Sequence, residues 1–293
     1  MNGLILLDKP AGITSFGAAA AIKRIFGIKR VGHTGTLDPM ATGVLPILIG
    51  KSTRLCGLVT DADKRYTATV KLGLTTDTLD ITGTVLTECR VVASEEQFVA
   101  ALENFRGEIL QIPPMYSALK KDGVRLYDLA RQGIEIKREA RAVTIKQLDY
   151  CGKEGENEYK IEVLCTKGTY IRTLADDIGR DLGCGAVLTT LRRTMTAGFS
   201  VEDCVTLEEL KTDPQKYLLP AQNAVWQLSD VSVSAAQAKR FVCGGELSLE
   251  RLTLSQNPTN IMKVFSEEQF LGLGEIDSAN ACLKIKCIVI DRE

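Results

Sequence analysis

The chain has 293 residues, 45% hydrophobic and 25% charged, with a formal net charge of −1. That length admits a large domain with a small one beside it, and the near-zero charge excludes a uniformly polycationic nucleic-acid binder. Recognition of phosphates would need a local cluster of Lys and Arg.

Nine cysteines contain no CxxC pair, and only one histidine, His33, exists to complete a metal site. Zinc and a disulfide framework are therefore not expected, and buried reduced thiols are. The opening MNGLILLDKP is too short in apolar residues for a secretory core, and no stretch approaches the roughly 18 apolar residues that cross a bilayer. These features predict a soluble, cytoplasmic protein with no membrane partner.

Residues 4–7 read as a short buried strand ended by Asp8, Lys9 and Pro10. Thr14 or Ser15 is placed to cap a helix through Phe26, with Ile22, Ile25 and Phe26 on its apolar face. Segments 66–72 and 82–88 alternate like strands around the polar turn TTDTLDITG. Ser94 with Gln97 three residues on forms a capping-box signal for a helix to about Phe105. Residues 134–150 and 158–167 predict two strands around KEGEN, and 169–182 a helix closed by Gly183 and Gly185. The periodicity breaks across 212–230, after which IMKVF, FLGLGEI and LKIKCIVI mark a small β-rich module. The mixture predicts an α+β fold, not a regular βαβ repeat.

Several motifs carry chemistry only in combination. LPILIGKST imitates a phosphate loop, but Leu45 stands where the first glycine is required, so a strand ending in a glycine turn is the better reading. The pairs Asp77/Asp80 and Asp176/Asp177 lack a third ligand in sequence reach and read as a solvated turn and a solvated helix face. Between Tyr116 and Lys146 eight Lys or Arg stand against four acids, with Tyr116 and Tyr127 interleaved. Such a tract can follow a nucleic-acid backbone. Asp38 precedes Pro39, a turn signal, within GHTGTLDPMATGVLPI. Residue by residue, the reading stops at a soluble α+β protein with a basic face suited to RNA.

Taken in order, DKPAGITS, GHTGTLDPMATGVLPI, KRYTA, GLTTDTLDITG, PPMYSALKKDGVRLYDLARQG, KGTYIRTLADDIG and LRRT resemble the motifs of the bacterial tRNA pseudouridine-55 synthases, the TruB family. The resemblance spans nearly the whole of the first 200 residues. It implies a catalytic domain over 1–226, built on a mixed or antiparallel central sheet with flanking helices. It implies an RNA-clamping insertion at about 113–146 and a small PUA-like RNA-binding domain over 227–293. Asp38 then corresponds to the catalytic aspartate, His33 to an RNA contact near the flipped target, and Tyr66 to the tyrosine stacked on the base. Tyr170 corresponds to the second active-site tyrosine, Arg172 to the arginine paired with the aspartate, and Leu191 to an apolar pocket residue. Lys9 and Pro10 belong to a motif that buttresses the loop. The implied reaction isomerises a uridine of the tRNA T-arm, by a monomer with no metal, cofactor or obligate protein partner. A guide-dependent relative acting on ribosomal RNA and a non-catalytic RNA-binding or RNA-folding protein are the alternatives.

Overall fold

The computed structural model describes residues 1–121 and 123–290; Asp122 of the basic segment and the last three residues of the C-terminal module lie outside the described residues. Its larger sheet runs Gly3–Lys9, Thr42–Ile49, Ala186–Thr196, Lys64–Leu72, Glu158–Cys165, Arg141–Gly155, Gly107–Gln111. Val31–His33 and Phe199–Ser200 are added to the flanks of this path. One pairing is parallel, Arg192 and Arg193 beside Thr42 and Gly43, and the other pairings of this sheet are antiparallel. The sheet is therefore mixed, as expected for this α+β chain.

Alternation dictates the inner face. In Glu158–Cys165 every second residue is buried, from Tyr159 to Cys165. Phe98 stacks on Tyr159 with ring centroids 4.4 Å apart, bringing the helix Glu95–Ala101 onto that face. The helices Ser15–Ile25 and Ile171–Asp181 join the same core through Ala18, Ile22, Leu174 and Ile178. Their starts follow local chemistry: Thr14 caps the first by accepting from Gly17 N, and Ser94 and Gln97 form the anticipated reciprocal box.

Some elements differ from expectation. The strand expected from residue 134 begins only at Arg141, and the hairpin closes over Glu156 and Asn157, with Asn157 at φ 58°. Residues 85–88 pair with Leu74–Thr76 in a separate two-stranded ribbon. The strand Ala186–Thr196 had no periodic signature although it lies inside the sheet. Two register shifts, between Leu188 and Thr190 and between Arg193 and Met195, scramble its period of two. Of the cysteines, which are all unpaired, Cys165, Cys184 and Cys282 are buried, whereas Cys89, Cys151 and Cys243 are exposed.

Ser229–Ser232, Ile261–Ser266, Gln269–Asp277, Cys282–Ile288 and Leu247–Ser248 form a second, five-stranded sheet. Phe270, Leu273 and Val289 from this part pack with Leu4, Leu6, Leu48 and Val225 in one apolar cluster. Arg54 donates to the Ile288 carbonyl at 2.6 Å across the same junction. Among the described residues no helix is long and apolar enough to cross a membrane.

Candidate active site

Asp38 sits in the turn that leads into the strand Thr42–Ile49. Ala41 N donates to its carbonyl at 3.1 Å, the turn that Asp-Pro foreshadowed. Two neighbours fix this loop. Ser15 Oγ accepts from Leu37 N at 2.7 Å and donates to Leu37 O at 3.1 Å. Lys9 Nζ donates to the carbonyls of Pro10 and Ile13 at 2.8 Å and of Pro39 at 3.4 Å. Beyond the turn, Gly43 (φ 103°) faces the Arg193 backbone so closely that a Cβ would lie 2.1 Å from Arg193 O. Only glycine permits this approach.

Asp38 meets Arg172 on the first turn of the helix Ile171–Asp181. Nη2 donates to Asp38 Oδ1 at 3.2 Å, and Nε lies 2.8 Å from Oδ2, too bent for a hydrogen bond. Nη1 donates to Thr78 O at 2.6 Å and Nη2 to Tyr116 O at 2.8 Å, so one guanidinium joins three segments. A second carboxylate, Asp80, lies 3.6 Å from Nη1 and accepts from Thr78 Oγ1, Thr82 N and Thr82 Oγ1. Asp80 is only 4% exposed, which overturns its reading as part of a solvated turn.

Burial pushes the Asp38 carboxyl above the ordinary aspartate range; Arg172 opposes the rise and Asp80 adds to it. Pairing with Arg172 alone would act the other way, so burial wins. Asp176 is also buried rather than solvated, with Arg180 at 2.7 Å, and burial raises Asp177 to about 6.

Asp38 opens into a cavity of about 300 Å³ whose walls include Lys64, Tyr66, Ser117, Tyr170, Arg172 and Leu191. Register explains the floor: Tyr66 pairs with Arg193 and Ala68 with Leu191, so Lys64, Tyr66, Leu191 and Arg193 alternate onto one face. Tyr170 precedes the helix Ile171–Asp181, and Gln111 clasps its backbone through Tyr170 N and Tyr170 O at 2.8 and 3.0 Å. Burial raises both phenols, Tyr66 and Tyr170, and keeps them protonated at neutral pH.

The structure thus gathers Asp38, Tyr66, Tyr170, Arg172 and Leu191 around one cavity. Lys9 and His33 are not among its walls. Lys9 is fully buried and its ammonium is occupied by the carbonyls of Pro10, Ile13 and Pro39, so it holds the Asp38 loop in place, the buttress expected of its motif, and does not line the cavity. His33 pairs with Ile47 on the strand Val31–His33; burial lowers its pKa and leaves Nδ1 without a partner.

Sequence reading missed Lys64, Arg193 and Ser117. Lys64 donates to Thr60 O and Ala62 O at 3.0 and 2.7 Å, and burial lowers it to about 8. Arg193, fully buried, donates to Val44 O at 2.7 Å and Gly35 O at 3.2 Å. The period of two from Tyr66 and from Leu191 was the available signal for the first two.

The basic segment forms a short ladder, Lys120–Lys121 with Val124–Arg125, and the helix Leu126–Arg131. Lys120, Lys121, Arg125, Arg131, Lys137 and Arg141 are exposed, and Ser117, Ala118 and Leu119 reach the cavity. Arg125 and Arg131 lie 5.8 and 5.5 Å from the Tyr127 ring centre.

One carboxylate in the cavity wall, Asp38, is clamped by a buried arginine between aromatic walls and beside a basic segment, an arrangement suited to a planar group of an anionic polymer. The model of the TruB family pseudouridylate synthase N-terminal domain matches residues 23–171, and that of the tRNA pseudouridylate synthase B C-terminal domain matches 172–225. The chain belongs to the TruB family of pseudouridylate synthases. Among its relatives, the tRNA pseudouridine synthase B of Aromatoleum aromaticum is 43% identical over 99% of this chain and 93% of that protein. The protein of the same name from Clostridium tetani is 43% identical over 94% of this chain and 96% of its own length. A chain of the solved Cbf5-Nop10-Gar1 complex superposes with a TM-score of 0.75 at 26% identity, covering 99% of this chain and 85% of that one.

Proposed function

We propose that the chain isomerises uridine to pseudouridine at position 55, in the T loop of tRNA, with Asp38 as its one catalytic carboxylate. The observation that carries this reading is Asp38 held by Arg172 at the mouth of the Tyr66–Leu191–Tyr170 cavity. The names of relatives 43% identical over nearly the full chain support tRNA as the substrate and favour it over a guide-dependent reading.

The chemistry suits these residues. Isomerisation breaks the N1–C1′ bond, turns the base and rejoins it through C5, with release of the C5 proton. Carbon is neither oxidised nor hydrolysed overall, so the balance calls for no redox partner. Asp38 acts either as nucleophile at C1′ or C6 or as the base that removes the C2′ proton. A uracil anion leaves readily, so a second acid of the glycosidase type is not needed. Burial raises the basicity of Asp38, while Arg172 opposes that rise and favours the ionised form.

The target base must leave its stack, and the Tyr66 face offsets about 1–3 kcal/mol of that cost. Tyr170 and Leu191 enclose the base, and the half-buried His33 contacts RNA beside the target. The exposed cations of segment 113–146 close over the T-arm, and the C-terminal sheet adds a PUA-like RNA contact. In this reading the enzyme is a cytoplasmic monomer that needs no metal and no guide.

The test is a purified tRNA transcript with no guide RNA or partner protein. Pseudouridine at position 55 is the expected product. Absence of product from transcript alone, with activity restored by a guide RNA, would move the chain to the guide-dependent class.

A further inference from the structure

Ser117 carries a buried hydroxyl in the wall of the cavity. The residue is 5% exposed, and its Oγ has no hydrogen-bond partner. A buried polar atom left unpaired costs free energy, so each such atom in a folded protein calls for a reason. Among the described residues, Arg172 and Ser117 are the cavity-wall residues that hold such an atom, and Arg172 Nε already faces Asp38.

The backbone around Ser117 is fully committed. Its N–H donates to Met115 O at 2.9 Å, its carbonyl accepts from Tyr127 N at 3.1 Å, and the preceding carbonyl of Tyr116 accepts from Arg172 at 2.8 Å. The hydroxyl is therefore presented from a fixed backbone. The Tyr170 phenol is its polar neighbour, and the hydroxyl opposes the burial that raises that phenol, but the pair does not meet the geometry of a hydrogen bond.

We propose that Ser117 is a further substrate-binding residue whose hydroxyl hydrogen-bonds the polar edge of the flipped uracil. This rests on the pseudouridine synthase reading above. A hydroxyl both donates and accepts, so it suits the uracil O2 and O4 acceptors and the N3–H donor alike. The bond forms only once the base has entered the cavity. RNA affinity, carried mainly by phosphate contacts, does not depend on it.

The experiment compares wild type with Ser117→Ala on the same tRNA transcript in three readings: RNA affinity, single-turnover rate at saturating enzyme, and thermal midpoint. The expected result is unchanged affinity, a rate about tenfold lower and a midpoint equal to or above wild type, because Ala removes an unsatisfied polar atom. On a transcript carrying 4-thiouridine or 2-thiouridine at the target, the Ser117→Ala penalty shrinks for the edge atom that the hydroxyl contacts. An unchanged rate, or a lowered midpoint with rate loss equal on normal and thio substrates, overturns the proposal. If wild type itself makes no pseudouridine, the functional reading fails instead.

Discussion

Arg172 is the point where the site is most exposed to a single change. Its guanidinium serves Asp38, Asp80 and the carbonyls of Thr78 and Tyr116 from a side chain only 4% exposed. Arg172→Lys keeps the charge but replaces a planar fork with a compact ammonium of three donors. At least one of the four acceptors loses its partner, and buried charge-assisted bonds contribute about 1.5–3 kcal/mol each. A loss of about 2–5 kcal/mol follows, read as a fall in the thermal midpoint of roughly 3–8 °C for a chain of this length. The same loss of orientation at Asp38 should lower the rate at least about 10²-fold, the usual consequence of a 1 Å misplacement. Release of tritium from tRNA labelled at C5 of uridine measures that rate, and calorimetry the midpoint. Arg172→Met adds a pH test. Without the cation that opposes the upward push of burial, the Asp38 carboxylate is harder to form, so the acid limb of the rate profile moves to higher pH. A Lys variant within twofold of wild type, or an acid limb moving down in the Met variant, would refute the reasoning.

Asp80→Asn removes a negative neighbour that raises Asp38, so its acid limb should move to lower pH, as a rate profile would reveal. Gly43→Ala places a Cβ 2.1 Å from Arg193 O, which forces apart the strand carrying the Asp38 loop; loss of soluble, folded protein on expression is the expected outcome. Chelators should leave the rate unchanged, and strong inhibition would instead revive a metal role for an aspartate pair such as Asp77 and Asp80.

Much of the fold was legible because local signals and burial agreed. The Ser94–Gln97 box, the Thr14 cap and the alternation of residues 66–72 all point the same way as the tertiary structure. The bulged strand Ala186–Thr196 was not legible, because two register shifts erase its period. Asp80 and Asp176 were misread for a different reason: a sequence window shows a carboxylate but not that the fold buries it, and for Asp80 it also hides the distant Arg172 folded against it. The same limit applies to Ser117, whose significance lies in having no partner, a property that exists only in three dimensions. Asp38, Tyr66, Tyr170, Arg172 and Leu191 became legible together through the order of long motifs. Their meeting in one cavity could not be derived from spacing.

The most direct measurement is position-resolved mapping of pseudouridine in a tRNA transcript treated with wild type and with Asp38→Asn, alongside an RNA-binding isotherm for each. Pseudouridine at position 55 with wild type, none with the variant, and equal RNA affinity is the expected result. Pseudouridine formed by Asp38→Asn at a rate near wild type would contradict the assignment of Asp38 and the mechanism built on it.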